Sequence, residues 1–213
     1  MMLNKTIKKA IKLEYLLYLP EDYSKETDKK WPLVLFLHGS GERGENVEMV
    51  AKHGIPKLAE EKKFPFIALS PQCPTNSNWE MQKDAVLALL HEAFESLSID
   101  KDRVYLTGLS LGGYGTWSLS QQYPELFAAI VPICGGGLPI NVSRIKDIPV
   151  WAFHGAKDDI VPIDETERMV QALQKINGNV KYTIYSEATH DCWSQAYNEP
   201  ELYKWLLAQK KIR

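Results

Sequence analysis

The sequence predicts an α/β fold, with a mostly parallel central sheet and helices on both faces. Three observations predict it. Short, wholly apolar runs recur along the chain, as expected of strands buried on both sides. Segments with apolar residues at helical spacing lie between them. The two kinds of segment alternate, which is the order that builds parallel sheets. At 213 residues the chain can bury a full core without disulfides or metal, and one domain over residues 1–213 is expected.

Strands are expected at residues 13–19, 33–37, 66–69, 104–106, 128–133, 150–153 and 180–185. The run Leu33-Val34-Leu35-Phe36-Leu37 has no polar residue, and the last segment alternates only weakly. Helices fall between them. Val86, Leu89, Leu90, Ala93, Phe94 and Leu97 repeat at helical spacing. Residues 111–123 follow a glycine turn and stop before Pro124. Asp164 and Glu167 have the spacing of a capping box, and Gly178 stands where that helix should end. Residues 199–209 form the final helix. A helical stretch over 47–61 is expected to be interrupted by Gly54 and Pro56. Residues 135–149 suffice for a loop but not for an inserted lid.

Composition excludes several classes of function. Formal net charge is −2, so nothing overall favours nucleic acid or an anionic membrane. Lysines scattered over residues 4–12 and at the C-terminus read as solvated ends. The three cysteines, Cys73, Cys134 and Cys192, lack disulfide or zinc spacing. A reducing, cytoplasmic setting follows as the expectation, with no leader in this chain and no membrane span. Gly135-Gly136-Gly137 lacks the dinucleotide-binding spacing. No cofactor and no metal are expected.

The central chemical signal is Gly108-Leu109-Ser110-Leu111-Gly112. It follows an apolar strand and precedes a helical pattern, the context that G-x-S-x-G requires. A serine at the tip of so sharp a turn needs a strained backbone. Residues two positions away must lack bulk, or strand and helix could not approach. The N–H of Leu111 is then left at a helix N-terminus, where negative charge is favoured. A chance match in a glycine-rich turn is the bland alternative; the strand before, the helix after and Gly113 argue against it.

A serine hydroxyl needs a base. On this plan the acid and then the histidine follow the serine, which leaves His154 and His190. His154 ends a buried strand and reads as structural. His190 lies in a loop after the last strand, where a parallel sheet collects its ligands. The acid should come from the loop after residues 150–153. Asp158 and Asp159 compete there, and bare chemistry does not separate them.

These segments together resemble the α/β-hydrolase superfamily, and within it the small bacterial carboxylesterases grouped with phospholipase/carboxylesterase and dienelactone-hydrolase-like enzymes. The resemblance runs from about residue 13 onward. It rests on Leu37-His38-Gly39-Ser40-Gly41-Glu42-Arg43-Gly44, on Ser70-Pro71-Gln72-Cys73-Pro74, and on Asp102 to Ser110 followed by Gly112-Gly113-Tyr114-Gly115-Thr116-Trp117. It continues in His154-Gly155 with Asp158 four places before Pro162, and in His190 three places before Trp193. The resemblance implies Asp158 as the acid, and a second oxyanion donor at the N–H of Ser40, with Gly41 as the neighbour that could serve instead. It implies a serine carboxylesterase acting on a small-molecule ester. A thioesterase or peptidase on the same residues is the rival within the class; a non-catalytic binding module is the rival outside it. Trp79 and Trp193 are candidates to wall the substrate pocket. Glu42 and Arg43 could touch substrate or brace their loop as an ion pair. Cys192, close to His190, has no chemical role in this scheme.

Overall fold

The computed structural model describes residues 2–5, 9–26 and 28–211. Part of the lysine-bearing N-terminal stretch and the last two residues lie outside them. Seven strands form one sheet: β1 (Tyr15–Tyr18), β2 (Trp31–Leu37), β3 (Ile67–Pro71), β4 (Ile99–Leu109), β5 (Ala129–Ile133), β6 (Val150–Gly155) and β7 (Val180–Tyr185). Their spatial order is β1-β3-β2-β4-β5-β6-β7. Every pairing is parallel except that of β1 with β3. The expected α/β fold with a mostly parallel sheet is therefore the observed one.

The apolar run of β2 serves both faces. Leu33, Leu35 and Leu37 join one core with Val86, Leu89 and Leu90 of α2 (Lys83–Ser96), Trp117 of α3 (Leu111–Gln122) and Met169 of α4 (Asp164–Lys175). Val34 and Phe36 join the opposite core with Ile55 and Leu58 of α1 (Gly54–Lys62), Tyr197 of α5 (Trp193–Asn198) and Leu202 of α6 (Pro200–Ala208). The two-residue period of a strand divides one apolar segment between two layers.

Several boundaries differ from expectation for identifiable reasons. β4 is much longer than residues 104–106 because it pairs with β2 on one side and β5 on the other. β1 is shorter than expected, an edge strand with Leu17 exposed. The interrupted 47–61 segment is a 3-10 turn, Val47–Lys52, then α1, which begins at Gly54 with φ +66°. Pro56 sits in its first turn, where a missing N–H costs nothing. The capping box does not form. The chain turns earlier, with the Pro162 and Ile163 carbonyls already accepting from Glu165 and Thr166, so Asp164 lies inside the helix and Ile163 takes the cap position. The C-terminal stop holds: the Gly178 N–H reaches the Leu173 carbonyl at 2.8 Å, although Asn177 is the left-handed residue. Residues 135–149 hold a short 3-10 helix, Pro139–Ile145. Among the described residues, no helix is long and apolar enough to cross a membrane.

From β2 the chain steps outward to β3, then returns past β2 to β4. The sheet thus reverses direction between β2 and β4, and the crevice beyond the carboxyl ends of such strands is where parallel sheets bind ligands.

Candidate active site

Ser110 stands at that crevice, between the end of β4 and the start of α3. Its backbone has φ 52° and ψ −115°, a left-handed conformation that a serine adopts only under constraint. The constraint is visible at the flanking glycines. A Cβ on Gly108 would lie 2.4 Å from the Gly112 carbonyl oxygen, and one on Gly112 would lie 1.8 Å from that of Leu37. Strand and helix approach so closely that neither position has room for a side chain. The Ser110 N–H is anchored on the Ile133 carbonyl at 3.0 Å.

The loops after β6 and β7 bring two groups to this serine. His190 Nε2 lies 2.9 Å from Ser110 Oγ, and His190 Nδ1 lies 2.7 Å from Asp158 Oδ2. Asp158 Oδ1 accepts the N–H groups of Ile160, at 3.0 Å, and Val161, at 2.9 Å. The Asp158 side chain is inaccessible to solvent. Burial alone would push its carboxyl up, but the His190 hydrogen bond, the two backbone N–H groups and the His190 charge outweigh it and hold it below the usual range. Asp159 is exposed.

Leu111 is the first residue of α3, so its N–H has no acceptor within the helix. Ser40 opens a 3-10 turn (Ser40–Glu42) after β2. That turn runs against the elbow: a Cβ on Gly39 would sit 2.8 Å from Leu109 Cδ1. The turn and the elbow therefore pack directly against each other. His38 fixes the loop. Its Nδ1–H donates to the Gly39 carbonyl at 2.6 Å, and its Nε2 accepts the Cys73 N–H at 2.9 Å, which defines a neutral ring. Burial pushes His38 down to about 4.

A family comparison decides the lineage. The dienelactone hydrolase family matches residues 70–201, more than half of the chain. The chain belongs to the dienelactone hydrolase family. A solved structure described as a thermostable esterase superposes with a TM-score of 0.88 at 38% identity, covering 93% of this chain and 60% of that one. A bifunctional acetylxylan esterase/xylanase from Neocallimastix patriciarum is 30% identical over 64% of this chain and 20% of its own length. A "probable feruloyl esterase C" from Aspergillus terreus is 27% identical over 78% of this chain and 62% of its own. The chain thus spans less than two thirds of each.

Within this member of the dienelactone hydrolase family, the two candidate tryptophans belong to opposite packing layers. Trp79 is buried, donates its indole N–H to the His38 carbonyl at 3.0 Å, and borders a groove of about 570 Å³ along α3. That groove is lined by Leu111, the residue after the serine, and by Tyr114, Ser118 and Leu138. Trp193 packs edge-on against His190, with ring centres 5.2 Å apart, and against His53 at 5.5 Å. Arg43 does brace its loop, but through the carbonyls of Ser40 and Ser77, each at 3.1 Å, rather than by pairing with Glu42. The buried Glu42 carboxylate faces His53 at 3.7 Å and His38 at 4.0 Å instead.

Two neighbours of the triad-like group were not found from the sequence. Cys134 lies under the elbow, its Sγ 3.3 Å from the Ser110 nitrogen. Cys134, Asp158 and His190 bring ligand-type atoms within 4.8 Å of one another, a cluster that no sequence spacing reveals. The acid and the imidazole already bind each other, and burial, with Cys192 beside it, pushes the Cys134 thiol well up. His154, read as structural, touches Asp158: its Nε2 lies 3.2 Å from Oδ2. The pattern His154-x-x-x-Asp158 was the available signal, an i, i+4 pair in a loop that must fold back on itself.

Proposed function

We propose that the protein is a serine carboxylesterase that hydrolyses small soluble esters through an acyl-enzyme on Ser110. The observation that carries this reading is the unbroken chain from Ser110 Oγ to His190 to Asp158, at 2.9 and 2.7 Å. Ser110 attacks the ester carbonyl as His190 Nε2 takes its proton, and Asp158 holds the ring in the tautomer this needs. The N–H groups of Leu111 and Ser40 receive the oxyanion. His190 then protonates the leaving alcohol, and water activated by the same ring releases the acid.

In this reading the acyl group lies in the groove that Leu111 helps to line. Its first wall is apolar, so added methylenes should help until that wall ends, at about 0.8 kcal/mol each. The stretch 135–149 holds only the short 3-10 helix Pro139–Ile145, and the names of the relatives point to acetyl or feruloyl esters as first substrates to try. The enzyme should act best on acetyl to hexanoyl esters, without interfacial activation. A fluorophosphonate should label Ser110 and nothing in Ser110→Ala. Para-nitrophenyl esters from acetate to palmitate, with and without an emulsion, then test the substrate. No labelling would sink the mechanism; a maximum at palmitate would sink the substrate class.

A further inference from the structure

His154 has no part in the reaction just described, yet both of its ring nitrogens are hydrogen-bonded next to it. Its side chain is inaccessible to solvent, as is that of Asp158. The polar partners of its ring nitrogens are all oxygens. Nε2 lies 2.9 Å from the Val161 carbonyl and 3.2 Å from Asp158 Oδ2. Neither of these can donate, so Nε2 must carry a proton. Nδ1 lies 2.7 Å from Thr166 Oγ1, which in turn lies 2.7 Å from the Gly135 carbonyl. A threonine hydroxyl has one proton. If it went to His154 Nδ1, the hydroxyl and the Gly135 carbonyl would face each other at 2.7 Å with no proton between them. The contact is made only if the hydroxyl donates to Gly135, and then Nδ1 must donate to the hydroxyl.

We infer that His154 is a fixed imidazolium, protonated on both nitrogens, which holds Asp158 from a side other than that of His190. The inference rests on Asp158 being the catalytic acid, and it identifies a positioning residue for it. Asp158 then accepts from Ile160 and Val161 on Oδ1 and from His190 on Oδ2, with the His154 ring standing 3.2 Å from Oδ2 as its ion-pair partner. The carboxylate cannot rotate without breaking several of these bonds. A buried carboxylate is costly to keep charged without a paired cation. His154 supplies the compensation, and passes the restraint through Thr166 to Gly135, which follows Cys134 beside the elbow. The acid of one loop is thereby tied to the segment that supports the nucleophile.

Histidine ¹⁵N–¹H correlation spectra of the wild-type chain test this directly. At about pH 8, where a free imidazole is neutral, one of the five histidines should show protons on both ring nitrogens. That pattern should vanish in His154→Gln. The low-field His190 Nδ1–H resonance should move further downfield in the same variant, because Asp158 no longer shares its charge. kcat should fall about ten- to hundredfold, the scale of one interaction with a buried charged group, with KM nearly unchanged. If all five rings carry a single proton at that pH, the inference is wrong whatever the variant does. The wild-type spectrum needs no substrate, so this failure is distinct from a failure of Ser110 to react. Should His154→Gln not fold, the wild-type proton count decides alone.

Discussion

The elbow that carries Ser110 and the loops that carry Asp158 and His190 are held in place by different physics. The elbow is a matter of excluded volume: β4, α3 and the end of β2 touch through backbone at Gly108 and Gly112. The loops are a matter of hydrogen bonds between groups far apart in the chain, with Asp158 and His190 separated by 32 residues and His190 and Ser110 by 80. Close packing tolerates no added atom and belongs to the fold itself. A hydrogen-bonded loop can lose its chemistry and keep its shape. Damage to the first should therefore appear as lost protein, and damage to the second as lost turnover.

The largest effect should come from Gly112→Ala. The new Cβ would sit 1.8 Å from the Leu37 carbonyl oxygen, and backbone on both sides has nowhere to go. Overpacking of this kind costs several kcal/mol, a large share of the stability of an ordinary domain. The variant should yield little folded protein by circular dichroism and solubility. A well-folded Gly112→Ala enzyme would break the comparison at its first term.

Asp158→Asn should give an almost inactive protein that still folds, with a lowered thermal midpoint because the buried His154 loses its carboxylate partner. An amide in place of the carboxylate can present its NH₂ group to His190 Nδ1 and select the wrong tautomer, a change that costs about 10⁴-fold in serine proteases. kcat for a para-nitrophenyl ester, measured beside the thermal midpoint, checks both halves. Loss of the fold together with activity would mean that the loop is as structural as the elbow.

This contrast also explains what the sequence could reveal. The elbow was legible because its determinants, two small residues around a serine between a strand and a helix, are neighbours in the chain. The layers were legible because β2 and α2 carry their periods openly. Cys134 beneath Ser110 was not, since no local pattern records which side chains meet after seven strands have been ordered, and the i, i+4 pair of His154 and Asp158 does not say by itself that the two side chains touch. The capping box failed for a related reason: Pro162 and Ile163 started the turn first, and the carbonyls that decide this lie outside the four-residue pattern. Between Asp158 and Asp159, chemistry gave no preference in one dimension. In the fold, one is buried against two imidazoles and the other is exposed.

A smaller effect sharpens the comparison on the elbow's own side. His38 has its value lowered from 6.5 to about 4 by burial, so the folded protein refuses a proton that the unfolded chain accepts. Between those values the unfolded state binds more protons, and stability falls as pH falls. The full window corresponds to about 3 kcal/mol. Asp158, held below its ordinary 3.8, loses its contribution only at lower pH, so the two windows do not overlap. Urea unfolding from about pH 7 to about pH 4.5 should show the decline, and His38→Gln should flatten it. An unchanged slope in that variant would show that the loop after β2 is not where acid acts.

The smallest effect should be that of Asp159→Asn, and it is the control on which the Asp158 result depends. The two aspartates are adjacent and chemically identical, so any difference between them comes from what the fold does to each. The Asp158 side chain is sealed from solvent and accepts from Ile160, Val161 and His190. Asp159 is exposed and faces water, where screening reduces its influence on the nearby imidazole to a few tenths of a kcal/mol. kcat and KM of Asp159→Asn should each stay within about twofold of wild type, and the unfolding midpoint should hardly move, as for surface substitutions generally. A loss approaching that of Asp158→Asn would mean that the loop after β6 works through its total charge. The geometry argues for one carboxylate in one orientation, and a neighbour one residue away cannot supply that orientation.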